Sequence, residues 1–195
     1  MSLRQDALMV DLETMSTEWN AAILSIGACM FDPFAGPEQP ITEKFLVRVS
    51  PASNETFDRH FSGDTIEWWF RQDPEALASL FEHQTNLKNA MVQFRLWFQD
   101  ETAQRPEEVW ANDPDFDVTI LKYAARAVHD AWPIFFANNR SVRTAGAMAY
   151  PDRNERKAII KLFRSEIGTH HRADDDAVAQ ALFVAHCYDK LGITR

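Results

Sequence analysis

The chain alternates between unbroken apolar runs and stretches where apolar residues recur every three or four positions. Ala7-Leu8-Met9-Val10 is a short unbroken run, predicted as a buried strand that ends at Asp11. Ala21 to Phe31 (AAILSIGACMF) predicts a second strand, and Glu43 to Val49 (EKFLVRV) alternates as a half-exposed third. Asp32 to Pro40, rich in Pro and Gly, is the loop between those two. Helical spacing then takes over in Thr65 to Gln72 and Leu87 to Gln99. Glu108 to Ala111 is a brief strand, and Phe116 to Val128 a helix with Ile120, Leu121, Ala124 and Ala127 on one stripe. Pro133 to Phe136 is predicted as a last strand. Two helices close the chain, over Asn154 to Arg164 and Ala173 to Leu191, the second with Gly192 as its C-cap. The order β-β-β-α-β-α-β-α predicts an α/β fold: a mixed central β-sheet of about five strands flanked by α-helices, formed by residues 1–195 as one domain.

Composition agrees and excludes several classes. The chain has 195 residues, 46% hydrophobic and 25% charged, long enough to bury roughly 70% of its unfolded surface without a disulfide or structural metal. Cys29 and Cys187 sit far apart in apolar runs, with no CxxC pair, so zinc-ribbon and zinc-deaminase chemistry lack ligands. No stretch approaches the ~20 apolar residues of a membrane span. Met1-Ser2-Leu3-Arg4-Gln5-Asp6 lacks the apolar core of a signal peptide, which predicts a cytoplasmic protein. The formal net charge of −9 stands against a protein that grips nucleic acid through bulk charge.

Three groups of acids change that picture. Val10-Asp11-Leu12-Glu13 ends the first strand, and on an extended segment residues i and i+2 point to the same side. Asp11 and Glu13 therefore aim two carboxylates at one point, which is costly unless a cation sits between them. Hard oxygen ligands suit Mg²⁺ or Mn²⁺, although a solvated Glu13 at a strand end would also fit. Asn112-Asp113-Pro114-Asp115-Phe116-Asp117 follows a strand and opens a helix. The helix macrodipole favours acids there, so capping explains some of the three, leaving Asp117 in the first turn. His170-His171-Arg172-Ala173-Asp174-Asp175-Asp176 runs into the last helix. Capping again accounts for some acids, while a histidine five residues before an aspartate supplies what a general base at neutral pH requires. The spacing fits His170 with Asp175 and His171 with Asp176 equally.

Taken in order, D-x-E, N-x-x-x-F-D and H-x-A-x-x-D-A resemble the motifs of the DEDDh (DnaQ-like) 3′–5′ exonucleases, which have a ribonuclease-H-like fold. The matching residues are Asp11-Leu12-Glu13-Thr14, Asn112 with Phe116-Asp117, and His171 through Ala177, so the resemblance spans nearly the whole chain. The alanines of the last motif, Ala173 and Ala177, match only the His171/Asp176 register. Thr65-Ile66-Glu67-Trp68-Trp69 and Val142-Arg143-Thr144 are similar to the small phage and bacterial branch, which includes DexA-like exodeoxyribonucleases and related exoribonucleases.

The resemblance implies a hydrolase that cleaves the 3′-terminal phosphodiester of single-stranded RNA or DNA, or of a 3′ overhang, with two Mg²⁺ or Mn²⁺ ions per site. It assigns Asp11, Glu13, Asp117 and Asp176 as metal ligands, His171 as the base that takes a proton from water, and nucleoside 5′-monophosphates as products. It also implies that Thr14 bonds the terminal 3′-OH and that Leu12 and Met15 wedge against the last base. Trp68 or Trp69 is a candidate stacking platform, although adjacent tryptophans on a helix point about 100° apart, so at least one belongs to the core. Trp97, Trp110 and Phe163 read as core. Asn112 and Arg143 are further candidate substrate contacts, with Arg140 and Arg143 serving either phosphate or the fold. A homodimer is compatible with the abundance of Trp and Phe.

Two other readings stand beside this one: a nucleic-acid-binding module on the same fold with weak catalysis, and an unrelated metal-dependent phosphohydrolase. The charge balance then divides. Residues 140–172 hold eight Lys and Arg against three acids, a net of +5, which leaves −14 for the rest of the chain. The basic stretch leads into His171 and Asp176, where a strand would approach. A small local footprint is expected, with salt-sensitive binding of a short 3′ end.

Overall fold

The computed structural model describes residues 7–36, 41–99, 106–167 and 172–195. Three strands open the chain: β1 (Ala7–Thr14), β2 (Ile23–Phe31) and β3 (Ile41–Arg48). They pair antiparallel, and β4 (Glu108–Ala111) and β5 (Asn139–Ser141) add to the β1 side in parallel, giving the order β3-β2-β1-β4-β5. This is the expected mixed five-stranded sheet flanked by helices. Two of the departures from expectation concern the sheet. β1 does not end at Asp11 but runs on to Thr14, because Asp11, Leu12 and Glu13 keep pairing with Gly27, Ile26 and Ser25. Pro133 to Phe136 is not a strand. The fifth strand is the polar Asn139-Arg140-Ser141, a sheet edge that backbone pairing to β4 defines rather than an apolar pattern.

Alternation along β1 separates two cores. Leu8, Val10 and Leu12 face a layer with α4 (Leu87–Phe98) and α5 (Asp117–Ala127), packed against Met91, Phe94, Ile120 and Leu121. Ala7 and Met9 face the other layer, where α6 (Val142–Ala149), α7 (Arg153–Ile167) and α8 (Ala173–Leu191) cover the sheet. Asp11 and Glu13 continue this second series, so their carboxylates emerge on the face that α8 covers. Three short helices, α1 (Pro51–Glu55), α2 (Gly63–Trp69) and α3 (Pro74–Ser79), line the return between β3 and α4. Among the described residues no helix is long and apolar enough to cross a membrane. Cys29 and Cys187 are buried free thiols.

α8 lies close to the sheet because Ala173, Ala177, Ala181 and Ala185, all fully buried, repeat every four residues and form a flat stripe. Its C-terminus is fixed by Gly192 in the left-handed conformation at φ 64°, which bonds back to Asp189 and Tyr188. The closest approach is at the other end. A methyl group on Gly27 would lie 2.0 Å from the Ala173 carbonyl carbon and 2.2 Å from Asp174 N, so only hydrogen fits there. Gly27 is the β2 partner of Asp11. The same contact that seats α8 therefore brings its first turn beside the Asp11 carboxylate.

A Gly27→Ala substitution meets backbone rather than a movable side chain and must displace the start of α8. The expected loss is about 2–3 kcal/mol, a fall in Tm of roughly 5–10 °C for a chain this long. Thermal unfolding of the variant measures it, and a parent-like Tm would show that the contact is looser than described.

Candidate active site

Asp11 and Glu13 from β1 and Asp176 from the first turn of α8 place one carboxylate oxygen each within 4.8 Å of one another. Glu13 and Asp176 are buried and Asp11 is half-buried. The three acids at the start of α8 are sorted by their neighbours. Asp174 takes two hydrogen bonds from Arg172, at 2.8 and 3.2 Å, and Asp175 accepts one from Lys44 Nζ on β3 at 3.0 Å. Asp176 turns to the cluster, with Arg164 Nε of α7 3.5 Å from its Oδ1. His171, the expected proton acceptor, and His170 lie outside the described residues.

Asp117 opens α5, buried at 4% exposure. It stands apart from the three-acid group but shares with Asp11 the lining of a cavity of about 350 Å³, together with Leu12, Asn112, Phe116 and Arg143. Arg143 is held there by an ion pair to Asp113 at 3.1 Å. Arg140 instead pairs with Glu108 at 3.1 Å and supports β4 and β5. A second cavity, of about 460 Å³, lies on the other side of Leu12 and Phe116 and is walled by Glu13, Thr14, Thr65 and Trp68. Leu12 and Phe116 line both cavities and form the ridge between them.

The remaining expected contacts fall in different places. Trp68 is 42% exposed at the second cavity, whereas Trp69 is 3% exposed and donates its indole N–H to Thr14 O at 2.9 Å. Thr14 Oγ1 donates to Ser16 O at 2.7 Å. Met15 packs against Leu24, Trp69 and Leu80. Trp110 is buried, while Trp97 and Phe163 are partly buried against the two cores. Of the basic residues between 140 and 172, Arg140, Arg143, Arg156 and Arg172 hydrogen-bond protein groups, and Arg164 is ion-paired to Asp176. Arg153, Lys157 and Lys161 are exposed along α7.

The crowding is legible in proton affinities. Burial pushes the Asp11 carboxyl well above the usual carboxylate range; Asp117 and Asp176 add to this, and a Gln180 hydrogen bond and Arg164 oppose it. Glu13 rises for the same reasons, burial first and then Asp11, Asp176 and Asp117. Burial raises Asp117 to about 7, although hydrogen bonds from backbone groups, Leu12 and Asp113 among them, offset part of the effect. Buried hard-oxygen donors that repel one another fit a divalent cation of the Mg²⁺ or Mn²⁺ type. Gly27, Arg164 and Gln180 were not singled out from sequence, and Phe116 entered there only as a motif residue without a role. Gln180 was within reach of such reasoning, since it lies four residues after Asp176 on one helix face.

An acid raised in the folded state contributes stability that is complete below its unfolded value and is lost as pH rises through its folded value. For Asp117 that window runs from about 4 to about 7. The metal-free protein should lose on the order of a few kcal/mol of unfolding free energy between pH 5 and pH 8. Asp117→Asn should reduce that loss. Denaturant titrations at the two pH values check both, and equal pH slopes for parent and variant would contradict the burial assigned to Asp117.

Comparisons with known proteins bear on this geometry. The profile of the 3′–5′ exoribonuclease Rv2179c-like domain matches residues 6–188. An exodeoxyribonuclease of Enterobacteria phage T4 is 37% identical over 75 residues, which cover 35% of this chain and 31% of that protein. The chain thus spans about a third of the length of that relative. Among solved structures, the nuclease domain of 3′hExo, a DEDDh family member bound to rAMP, is similar with a TM-score of 0.67 at 11% identity, over 100% of this chain and 96% of the other. The RNase domain of the yeast Pop2 protein is similar with a TM-score of 0.50 at 9% identity, over 97% and 77%. These two likenesses concern the fold, which is ribonuclease-H-like.

Proposed function

The chain belongs to the 3′–5′ exoribonuclease Rv2179c-like domain family, among the DEDDh exonucleases, and on that premise we propose that it removes nucleotides one at a time from the 3′ end of single-stranded nucleic acid or a 3′ overhang. The observation that carries the reading is the convergence of Asp11, Glu13 and Asp176 within 4.8 Å beside a two-part groove. Asp11, Glu13 and Asp176 would hold one divalent cation, Mg²⁺ or Mn²⁺, and Asp117 with Asp11 a second. Bound there, the ions supply Lewis acidity, an acidified water and neutralisation of charge on the leaving 3′ oxygen.

The chain's own residues do the rest. Leu12 and Phe116, on the ridge between the cavities, separate the terminal base from the one before it. The terminal nucleoside takes the larger cavity, where half-exposed Trp68 offers its face to the base. Thr14 supplies polar atoms at the sugar. Trp69 acts from behind, holding the Thr14 carbonyl and so the turn after β1. Asn112 and Arg143, on the smaller cavity, meet the preceding phosphate, with Asp113 fixing the guanidinium fork. A ring nitrogen of His171 accepts the proton of the attacking water, and the products are nucleoside 5′-monophosphates. Exposed Arg153, Lys157 and Lys161 give the strand a modest, salt-screened attraction.

A matched pair of RNA and DNA oligomers, each labelled at its 5′ or 3′ end, tests this with Mg²⁺ or Mn²⁺. The 5′-labelled strand should shorten into a ladder, and the 3′ label should leave at once as a mononucleotide. Asp11→Ala should lower the rate about a hundredfold or more. Trp68→Ala should weaken substrate binding by about 1–3 kcal/mol. Intact oligomers that still bind would identify a binding module, and a parent-like rate in Asp11→Ala would overturn the site.

A further inference from the structure

Gln180 follows Asp176 by one helical turn on α8, so both side chains project from the same face toward β1. Its Nε2 donates to Asp11 Oδ1 at 2.7 Å, and the residue is only 5% exposed. A carboxylate has acceptors alone, so the amide nitrogen faces Asp11 and the amide oxygen is turned away. That oxygen is buried and makes no hydrogen bond. Arg164 Nε is a second buried polar atom without a hydrogen bond; it contacts Asp176 Oδ1 at 3.5 Å as an ion pair lacking hydrogen-bond alignment. Gln180 and Arg164 line one small cavity of about 10 Å³, with Asn112 on its wall. Such a space holds about one water, and a water needs the donors and acceptors these groups offer.

We propose that Gln180 and Arg164 are positioning residues, linked by one buried water between the amide oxygen and the guanidinium Nε–H, which set the Asp11 and Asp176 carboxylates against each other for divalent-cation binding. The proposal rests on the reading of the acid cluster as a cation site. Its physical logic is a ring. Asp11 is held by Gln180, Gln180 by the water, the water by Arg164, and Arg164 lies against Asp176. Two acids from separate elements, β1 and α8, are thereby oriented from behind, and α7 is tied to the site through Arg164 although it contributes no acid to it. Groups that orient metal ligands in this way typically change metal affinity 10–100-fold when removed.

The test is calorimetric titration of Mn²⁺ alone into the full chain at pH 8, with thermal unfolding of the metal-free protein as the second readout. Gln180→Met keeps length and volume but removes both polar atoms. It should unfold close to the parent temperature and bind Mn²⁺ roughly 10–100-fold more weakly. Arg164→Lys keeps the charge near Asp176 and removes Nε, so it should weaken Mn²⁺ binding too. Because both changes break one link, the double variant should lose no more than the larger single loss. Parent-like Mn²⁺ affinity in Gln180→Met, or additive losses in the double variant, overturns the network. Should Gln180→Met fail to fold, Arg164→Lys decides alone, a weakened affinity supporting the network and a parent-like one overturning it. A parent chain that binds no Mn²⁺ overturns the cation site itself and the network with it.

Discussion

Carboxylates buried within 4.8 Å of one another repel, and a folded chain tolerates them only where rigid backbone forces them together. Here the force is steric intimacy between β2 and the first turn of α8. Gly27 lets the peptide between Ala173 and Asp174 lie directly on the strand, and the alanine stripe carries the rest of the helix down onto the sheet. Asp11 pairs with Gly27 across the ladder, so the helix start and the acid strand share one point. The cost appears as raised proton affinity at Asp11 and Glu13, through burial first and the neighbouring acids second. Core packing along the length of α8 outweighs it, which is how a fold stores an anionic site ready for positive charge.

The parts of this arrangement differ in how openly the sequence displays them. Asp11 and Glu13 were readable because strand alternation forces i and i+2 onto one side. α8 was readable to the residue: an acid-rich first turn, a long apolar pattern and Gly192 mark both its ends. β5 was hidden, since three polar residues on an edge carry no hydrophobic period. α6 was also missed, although Ser141 caps it by accepting from Thr144 N at 3.3 Å; its run of small residues lacks the bulky stripe that announces a helix. α3 had a readable start in Asp73-Pro74-Glu75, with the Asp73 carboxylate accepting from Glu75 and Ala76. Gly27 looked like one more small residue inside an apolar strand, because the demand for hydrogen there comes from a helix some 145 residues later in the chain.

Charge follows the same pattern of local need over global sum. The chain is acidic overall, yet on the proposed function the acids that crowd the site would take up cations and so would not repel a substrate. Much of the basic stretch from Arg140 to Arg172 is spent inside the protein: Arg140 on Glu108, Arg156 on the Tyr150 carbonyl, Arg172 on Asp174. What is left for a strand is Arg143 at the groove and the exposed residues of α7. On the proposed function, such a surface would favour brief capture of an end, with selectivity resting on the geometry at Leu12, Phe116 and Trp68.

The most direct measurement is diffraction from crystals grown with Mn²⁺ at pH 8, using anomalous scattering to locate the ion. A site formed by the approach of α8 to β2 should show anomalous density bounded by Asp11, Glu13 and Asp176, with oxygens about 2.0–2.6 Å from it. Density elsewhere, with these three carboxylates engaged only by protein donors, would contradict the claim that their convergence exists to bind a divalent cation.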